Sequence, residues 1–361
     1  MKKIALLVSI RPNYIKIAKL MSLLKKEKEI KTFLINTGQH YDTNLSDIFF
    51  KQFNLRNPDY NLEIGKSNSH CEQISLMILR LEKVLKKIEP NMLILIGDSN
   101  AAVAGSLVGK RNNLKVAHIE AGLRCGIINK AEEQNRIITD HLSDYLFTPT
   151  IIENKNLINE NIRKDRIYFC GNIMADALNM YLSKIKELQF SSKIGVKAKE
   201  FILLTIHRDS NVYTQKRVKE IFKAVNRISK FKRIIFPIHP KTEKILNGLN
   251  LMHLLKDVVL IGPQGYFEIL SLINDSEYVI TDSGGIQEET TLLNIPCFTI
   301  RVCTERPITI SKGTNYLLDA DSIKMVNSIE RIMKKPKISK KISKWDGNTS
   351  ERIIEIIKNK L

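Results

Sequence analysis

The chain has 361 residues, of which 43% are hydrophobic, enough to bury two separate cores, and it carries a formal net charge of +19. No apolar run approaches the length of a membrane-spanning helix, and the opening MKKIALLV is too short and wrongly followed for a secretory leader. The lysines spread along helices and loops, as at 25–28 and 334–337, with few aromatics among them. That pattern fits a solvated surface better than a nucleic-acid partner, while its field would draw in anionic substrates.

Along the chain, strand and helix patterns alternate. A strand is predicted at 4–9, a helix over 12–24, a second strand at 33–35 and a long amphipathic helix over 71–87. The apolar run 92–96 is a strand ending in Gly97-Asp98, with its helix at 101–108; further strands follow at 116–119 and 145–147. After Gly171-Asn172 comes a helix ending near Leu188, then the lysine-rich connection 189–199. The second half repeats the scheme, with strands at 201–205, 234–237, 258–261, 278–280 and 297–300. Strands separated by helices of this length demand right-handed crossovers and parallel sheets. The reading is α/β: two Rossmann-like domains facing across a cleft, with ligands at the carboxyl ends of the strands. The boundaries expected are 1–170, completed by a helix at 350–361, and 171–349. Five cysteines without C-x-x-C spacing read as reduced thiols of a cytoplasmic protein.

Two dinucleotide or nucleotide signatures fail. No G-x-G-x-x-G follows the first strand, where Ser9-Ile10-Arg11-Pro12 forms the turn, and the run 105–111 is one residue short of a phosphate loop.

The most informative stretch is TDSGGIQEE, 281–289, between a buried strand and a helix. A strand ending in Asp-Ser-Gly-Gly presents backbone N–H groups at the positive end of a helix dipole, and Gly284 and Gly285 let an anion come close. Taken alone, the same run is also a plain capped turn. Other chemistry falls at strand ends too. Arg11 and Lys16 flank the first helix start. Asp98 and Glu120 each follow an apolar run that would partly desolvate a carboxylate. Glu132 and Glu133 open a helix carrying Arg136, and His207-Arg208 ends a strand of the second half. Carboxylates gathered near one histidine at strand mouths form an acid–base site.

In order, RPNYIK (11–16), TGQHYD (37–42), GD (97–98), HIEAGLR (118–124), EEQNRIITDHLSDYLF (132–147), GN (171–172), HR (207–208), PIHP (237–240), TDSGGIQEE, TERP (304–307) and GTN (313–315) run through the whole chain. The set resembles the non-hydrolysing UDP-N-acetylglucosamine 2-epimerases of bacteria and archaea. The resemblance implies the glycosyltransferase-B-like arrangement of two domains, a homodimer, and a UDP-sugar as substrate. It implies loss of UDP to leave 2-acetamidoglucal and re-addition after reprotonation at C2, with neither nicotinamide nor metal. It carries acid–base roles to Asp98, Glu120 and Glu132, and a place near the diphosphate to His207. Nucleotide contacts fall to Arg11, Lys16, Ser283, Gly284, Gly285 and Arg306, with Glu289 on ribose hydroxyls and Gln264 at uracil; Arg136 is read as a further substrate-binding residue. Gln39, His40, Arg208 and His239 echo positions that bind an activating nucleotide sugar in some relatives. The chain departs from the family at Ser9-Ile10, where Gly-Thr is usual, at Ala131, where proline is usual, and in the loops 125–130 and 208–211. Three enzymatic alternatives stay open: a 2-epimerase of a modified UDP-sugar such as a diacetamido uronate, a hydrolysing 2-epimerase, and a glycosyltransferase of the same fold. A non-catalytic nucleotide-sugar-binding protein stands as the other class.

Overall fold

The computed structural model describes residues 1–38, 53, 55–65, 67–212 and 214–361. The chain divides into two units, Met1–Met180 with Ser343–Leu361, and Tyr181–Ile342. The first runs β1 (Lys2–Val8), α1 (Arg11–Leu24), β2 (Ile30–Asn36), β3 (Tyr60–Asn61), α2 (His70–Ile88), β4 (Met92–Ile96), α3 (Asn100–Arg111), β5 (Lys115–Ile119), α4 (Ala131–Leu142), β6 (Tyr145–Thr148), α5 (Ile151–Asn159), β7 (Ile167–Phe169) and the first half of α6 (Ile173–Leu188), whose second half belongs to the other unit. Its sheet is parallel throughout, in the order β3-β2-β1-β4-β5-β6-β7.

Strand β4, MLILI, is buried along its whole length, as a parallel strand covered on both faces must be. Alternate residues of β1 serve opposite faces. Ile4, Leu6 and Val8 join a cluster with Ile17, Leu20 and Leu24 of α1, whereas Ala5 and Leu7 join one with Met77, Leu81 and Leu85 of α2. Helix α2 forms because its apolar residues recur at three- and four-residue spacing, Ser69 accepts from the Glu72 N–H at 3.1 Å, and Lys86 and Lys87 close its last turn. The phosphate-loop lookalike at 105–111 lies wholly inside α3.

The second unit runs β8 (Phe201–Thr205), α7 (Gln215–Ile228), β9 (Arg233–Pro237), α8 (Pro240–Gly248), β10 (Val258–Ile261), α9 (Tyr266–Asp275), β11 (Tyr278–Thr281), α10 (Gly284–Leu292), β12 (Cys297–Ile300), β13 (Asn315–Leu318) and α11 (Ser322–Lys334). Its parallel sheet has the order β10-β9-β8-β11-β12-β13. One face packs Ile202, Leu204, Ile234, Phe236 and Phe298 against the apolar stripe Val218, Ile221, Phe222 and Val225 of α7.

In each sheet the strand order reverses once, between β1 and β4 in the first and between β8 and β11 in the second. Crossovers leave to opposite sides at such a point, so the loops after those strands splay apart and open a crevice. The loops concerned carry Ser9-Ile10 and Gly97-Asp98, and His207-Arg208 and Asp282-Ser283.

The chain then returns to the first unit. Helix α12 (Thr349–Lys360) buries Ile353, Ile354 and Ile357 in the cluster that holds Ile17 and Leu20. Its first N–H groups, of Thr349 and Ser350, donate to the Asp176 carboxylate of α6 at 2.9 and 2.6 Å, so a residue far away in sequence caps this helix.

Candidate active site

At the reversal point of the first sheet, Asn13 organises the turn into α1. Its Oδ1 accepts from the N–H groups of Ser9 and Ile10, both at 3.2 Å, and its Nδ2 donates to the Ile96 carbonyl. Neither Ser9 nor Ile10 has a positive φ, so this turn works without glycine. Arg11 is the first residue of α1.

Gly97 does need its freedom, at φ +70. Its N–H donates to the Ile119 carbonyl at 3.1 Å, and its own carbonyl accepts from His118 Nε2 at 2.8 Å. The bond pair ties the residue before Asp98 to the strand that leads into Glu120. Asp98 itself is one-third exposed, and its Oδ2 accepts from Arg136 Nη1 at 2.6 Å. Glu120 is buried in a left-handed backbone conformation, φ +71, that an ordinary residue adopts at a cost of about 1–2 kcal/mol. Lys16 Nζ reaches its Oε2 at 2.5 Å, a buried ion pair that fixes the carboxylate and neutralises it.

The two adjacent glutamates of α4 divide. Glu132 is exposed. Glu133 turns inward and accepts from the N–H groups of Cys125 (2.9 Å) and Gly126 (2.8 Å) and from Arg136 Nη2 (2.6 Å). Burial would raise its carboxyl, but Arg136 and those two N–H groups outweigh it and hold it below the usual range. Arg136 is therefore clamped between Glu133 and Asp98. Beneath lies Asp140, fully buried, which accepts from His118 Nδ1 at 2.7 Å, the Gly122 N–H at 3.0 Å and Arg124 at 2.8 Å. Arg124 in turn pairs with Glu160. Glu133, His118 and Asp140 had no assigned role on sequence grounds, although all three lie inside quoted motifs. Their signal is burial, which a sequence does not print.

At the reversal point of the second sheet, the fully buried Asp282 pins the loop after β8. It accepts from the backbone N–H of His207 (3.1 Å) and of Arg208 (2.8 Å), and from Asn211 Nδ2 (3.2 Å); His207 Nδ1 lies 3.3 Å from its Oδ1. His207 is otherwise half-exposed. The carboxylates Asp98, Glu120 and Glu132 thus belong to the first unit and His207 to the second.

Helix α10 begins at Gly284, after Ser283 in extended conformation. Its first turn is held from behind by Gln287, whose Oε1 accepts from Thr304 Oγ1 (2.7 Å) and Asn315 Nδ2 (3.0 Å) and whose Nε2 donates to the Ser283 carbonyl. Thr304 Oγ1 also accepts from the Arg306 N–H. Through these bonds the TERP segment is drawn onto the start of the helix. Arg306 is 8% exposed; it pairs with Glu305 and lies 2.8 Å from Glu288. Glu289 is buried beside the Tyr266 hydroxyl. Burial of that hydroxyl and the neighbouring Glu289 and Glu288 carboxylates push the phenol well above its usual value. Gly284 and Gly285 differ. A Cβ on Gly284 would meet Glu305 at 2.8 Å and Arg306 at 3.0 Å, whereas one on Gly285 would meet nothing within 4 Å.

Gln264 donates to the Gly262 carbonyl within its own turn at 2.9 Å. Of the four residues read as a second nucleotide-sugar site, Gln39 and His40 lie outside the described residues. Arg208 adjoins the start of α10, and His239 Nδ1 accepts from the Lys241 N–H at the start of α8. Among the described residues, no group of three or more His, Cys, Asp or Glu side chains could hold a metal ion, and no helix is long and apolar enough to cross a membrane.

The arrangement offers proton transfer and anion binding. One unit holds two carboxylates at a strand mouth with a third exposed on the adjacent helix. The other holds a helix N-terminus flanked by arginines. Against known proteins, a family model described as UDP-N-acetylglucosamine 2-epimerase matches residues 22–358. A UDP-N-acetylglucosamine 2-epimerase of Methanocaldococcus jannaschii is 40% identical, with 98% of each chain covered. A UDP-2,3-diacetamido-2,3-dideoxy-D-glucuronate 2-epimerase of Pseudomonas aeruginosa is 33% identical over 98% of this chain and 99% of its own. A crystal structure of the Methanocaldococcus jannaschii UDP-GlcNAc 2-epimerase, in complex with UDP-GlcNAc and UDP, superposes with a TM-score of 0.89 at 38% identity, covering 99% of both chains. With a family model over nearly all of its length and relatives aligned end to end, this chain belongs to the UDP-N-acetylglucosamine 2-epimerase family.

Proposed function

We propose that the protein interconverts UDP-N-acetylglucosamine and UDP-N-acetylmannosamine by eliminating UDP and adding it back to 2-acetamidoglucal. The carrying observation is Glu120, held in a costly backbone conformation beside Lys16 and one strand from Asp98. Such strain persists where the surroundings over-determine it, as functional sites do. C2 is not acidic in an acetal, so inversion there needs a base on one face and an acid on the other. Asp98, Glu120 and Glu132 supply these groups, with Arg136 orienting Asp98. Departing UDP needs positive charge and N–H donors. Arg306, Ser283, Gly284, Gly285 and His207 supply them, with Arg11 and Lys16 assisting, Glu289 on the ribose and Gln264 at the base. No nicotinamide or metal enters this scheme. On the strength of the family resemblance we also take the protein to be a homodimer, and on its five cysteines without C-x-x-C spacing a cytoplasmic one.

A second reading has specific support. The Pseudomonas aeruginosa relative is named for a diacetamido glucuronate, so a modified UDP-sugar is the alternative substrate class. One experiment separates the readings. UDP-GlcNAc incubated with the protein in deuterium oxide should give UDP-ManNAc labelled at C2 by NMR. Epimer without label overturns the proton-transfer roles, and release of free ManNAc with UDP establishes the hydrolysing reaction instead. Turnover of the diacetamido uronate alone moves the reading to that class.

A further inference from the structure

Three charged groups of the second unit converge on one point at the first turn of α10. The position a Cβ would take on Gly284 lies 2.8 Å from Glu305 Oε1, 3.0 Å from Arg306 Nη1 and 3.6 Å from Arg208 Nη2. Glu305 is 7% exposed; its Oε2 accepts from Arg301 Nη1 at 2.7 Å and its Oε1 pairs with Arg306. Arg301 is equally enclosed, and among the described residues its buried Nη2 has no acceptor. Burial would raise the Glu305 carboxyl, but the charges of Arg306, Arg301 and Arg208 dominate and keep it ionised far below the usual range. A carboxylate therefore sits at the start of a nine-residue helix, among three guanidinium groups, where an anionic ligand of that helix end would place an oxygen.

We propose that Glu305 is a specificity-determining residue: it is the resident anion of this cradle, displaced from Arg306 and Arg208 by a nucleoside diphosphate and not by inorganic phosphate or pyrophosphate. The physical reason is an exchange balance. An incoming inorganic phosphate replaces one anion by another at the same guanidinium groups, and until Glu305 turns away the two anions repel each other, so little is gained. A nucleoside diphosphate brings the contacts of its ribose and base as well, and these can drive the displacement. Orphaned Arg301 Nη2 then becomes a donor to the arriving anion. The inference rests on the reading of the second unit as the nucleotide holder.

The test is the sign of an affinity change. Glu305→Gln keeps the shape and removes the charge. Calorimetric titration of wild type and variant with inorganic phosphate, pyrophosphate, UDP and uridine is the measurement. We expect phosphate and pyrophosphate to bind the variant at least about tenfold more tightly, a gain of about 1.4 kcal/mol, with uridine unchanged and the preference for UDP over pyrophosphate reduced. If Glu305 only buttresses Arg306, phosphate and pyrophosphate bind the variant equally or more weakly, and the proposal is overturned. Should Glu305→Gln fail to fold, Glu305→Asp withdraws the carboxylate by one methylene and is expected to move phosphate affinity in the same direction; no change or a loss there overturns it too. Failure of wild type to bind UDP would instead strike at the nucleotide-holding role itself.

Discussion

Glu120, Glu132 and Asp98 share a proposed role but not a setting, and the settings separate what their removal should do. Replacing any of them by its amide should lower epimerisation by a factor of about 10² or more, the usual size of a general acid–base contribution. Glu120→Gln should also lower stability by about 3 kcal/mol, because it leaves the Lys16 ammonium buried without its partner. Glu132→Gln should leave the thermal melt where it was, since that side chain is exposed. Steady-state assays beside melting curves check this, and equal melts for the two variants would contradict the ion pair's role. Asp98 and Glu120 are legible because a carboxylate at the end of a buried strand is conspicuous, and Glu132 through the motif that carries the family resemblance. Glu133 is not, because a glutamate in the first turn of a helix reads as dipole stabilisation whether it faces water or the interior. Only the fold shows that it is the one gripping Arg136.

Strands that are buried on both faces announce themselves as continuous apolar runs, and β1, β4, β5, β8 and β11 were all visible that way. The strands that sequence reasoning passed over, β3, β7 and β13, are each at the edge of a sheet and only partly buried, so they carry no such run. The turn into α10 was readable from its glycines, though not the difference between them. Gly284→Ala should disturb Glu305 and Arg306 directly, while Gly285→Val should fold normally and lose UDP binding because its side chain fills the approach to the helix N-terminus. Titration with UDP beside a thermal melt tests both. Unchanged UDP affinity in folded Gly285→Val would mean that phosphate does not reach this turn. A similar logic applies to β5, where His118 joins Asp140 to the Gly97 carbonyl. His118→Asn should lower kcat more than it raises the KM for UDP-GlcNAc, since what it loses is the register of Asp98 against Glu120.

For the molecule as a whole, two buried carboxylates shape the response to acid. Burial alone would raise Asp140, but His118 and Arg124 hold it below its ordinary 3.8. Glu133 is likewise held below its ordinary 4.5 against burial by Arg136 and the N–H groups of Cys125 and Gly126. As pH falls, the unfolded chain takes up these protons before the folded one does. Their contribution is therefore complete above those ordinary values and is lost as pH drops beneath them. Asp140→Asn with Glu133→Gln should reduce stability at neutral pH and flatten its decline between about pH 5 and 3, measured by denaturant titration at each pH. The thiols give a further check. Burial pushes Cys170 up to about 12 and Cys297 up to about 11, whereas Cys71 is exposed. Iodoacetamide at mildly alkaline pH should modify Cys71 and spare those two, as read by peptide mass spectrometry; early alkylation of Cys297 would contradict its burial.

The return of Ser343–Leu361 to the first unit has a consequence for biosynthesis. A ribosome delivers the chain from one end, so α1 emerges early while α12, which covers Ile17 and Leu20, emerges only after the second unit. At typical translation rates the stretch 181–342, which separates the two parts of the first unit, takes roughly 8–32 s to make. Through that interval the first unit lacks the segment that covers α1, and it still lacks it at the moment the second unit receives its last residue. The half that bears the three carboxylates is then the half exposed to chaperones and proteases, and a ribosome stalling near residue 340 would release a polypeptide with one finished unit and one apolar helix face open to water.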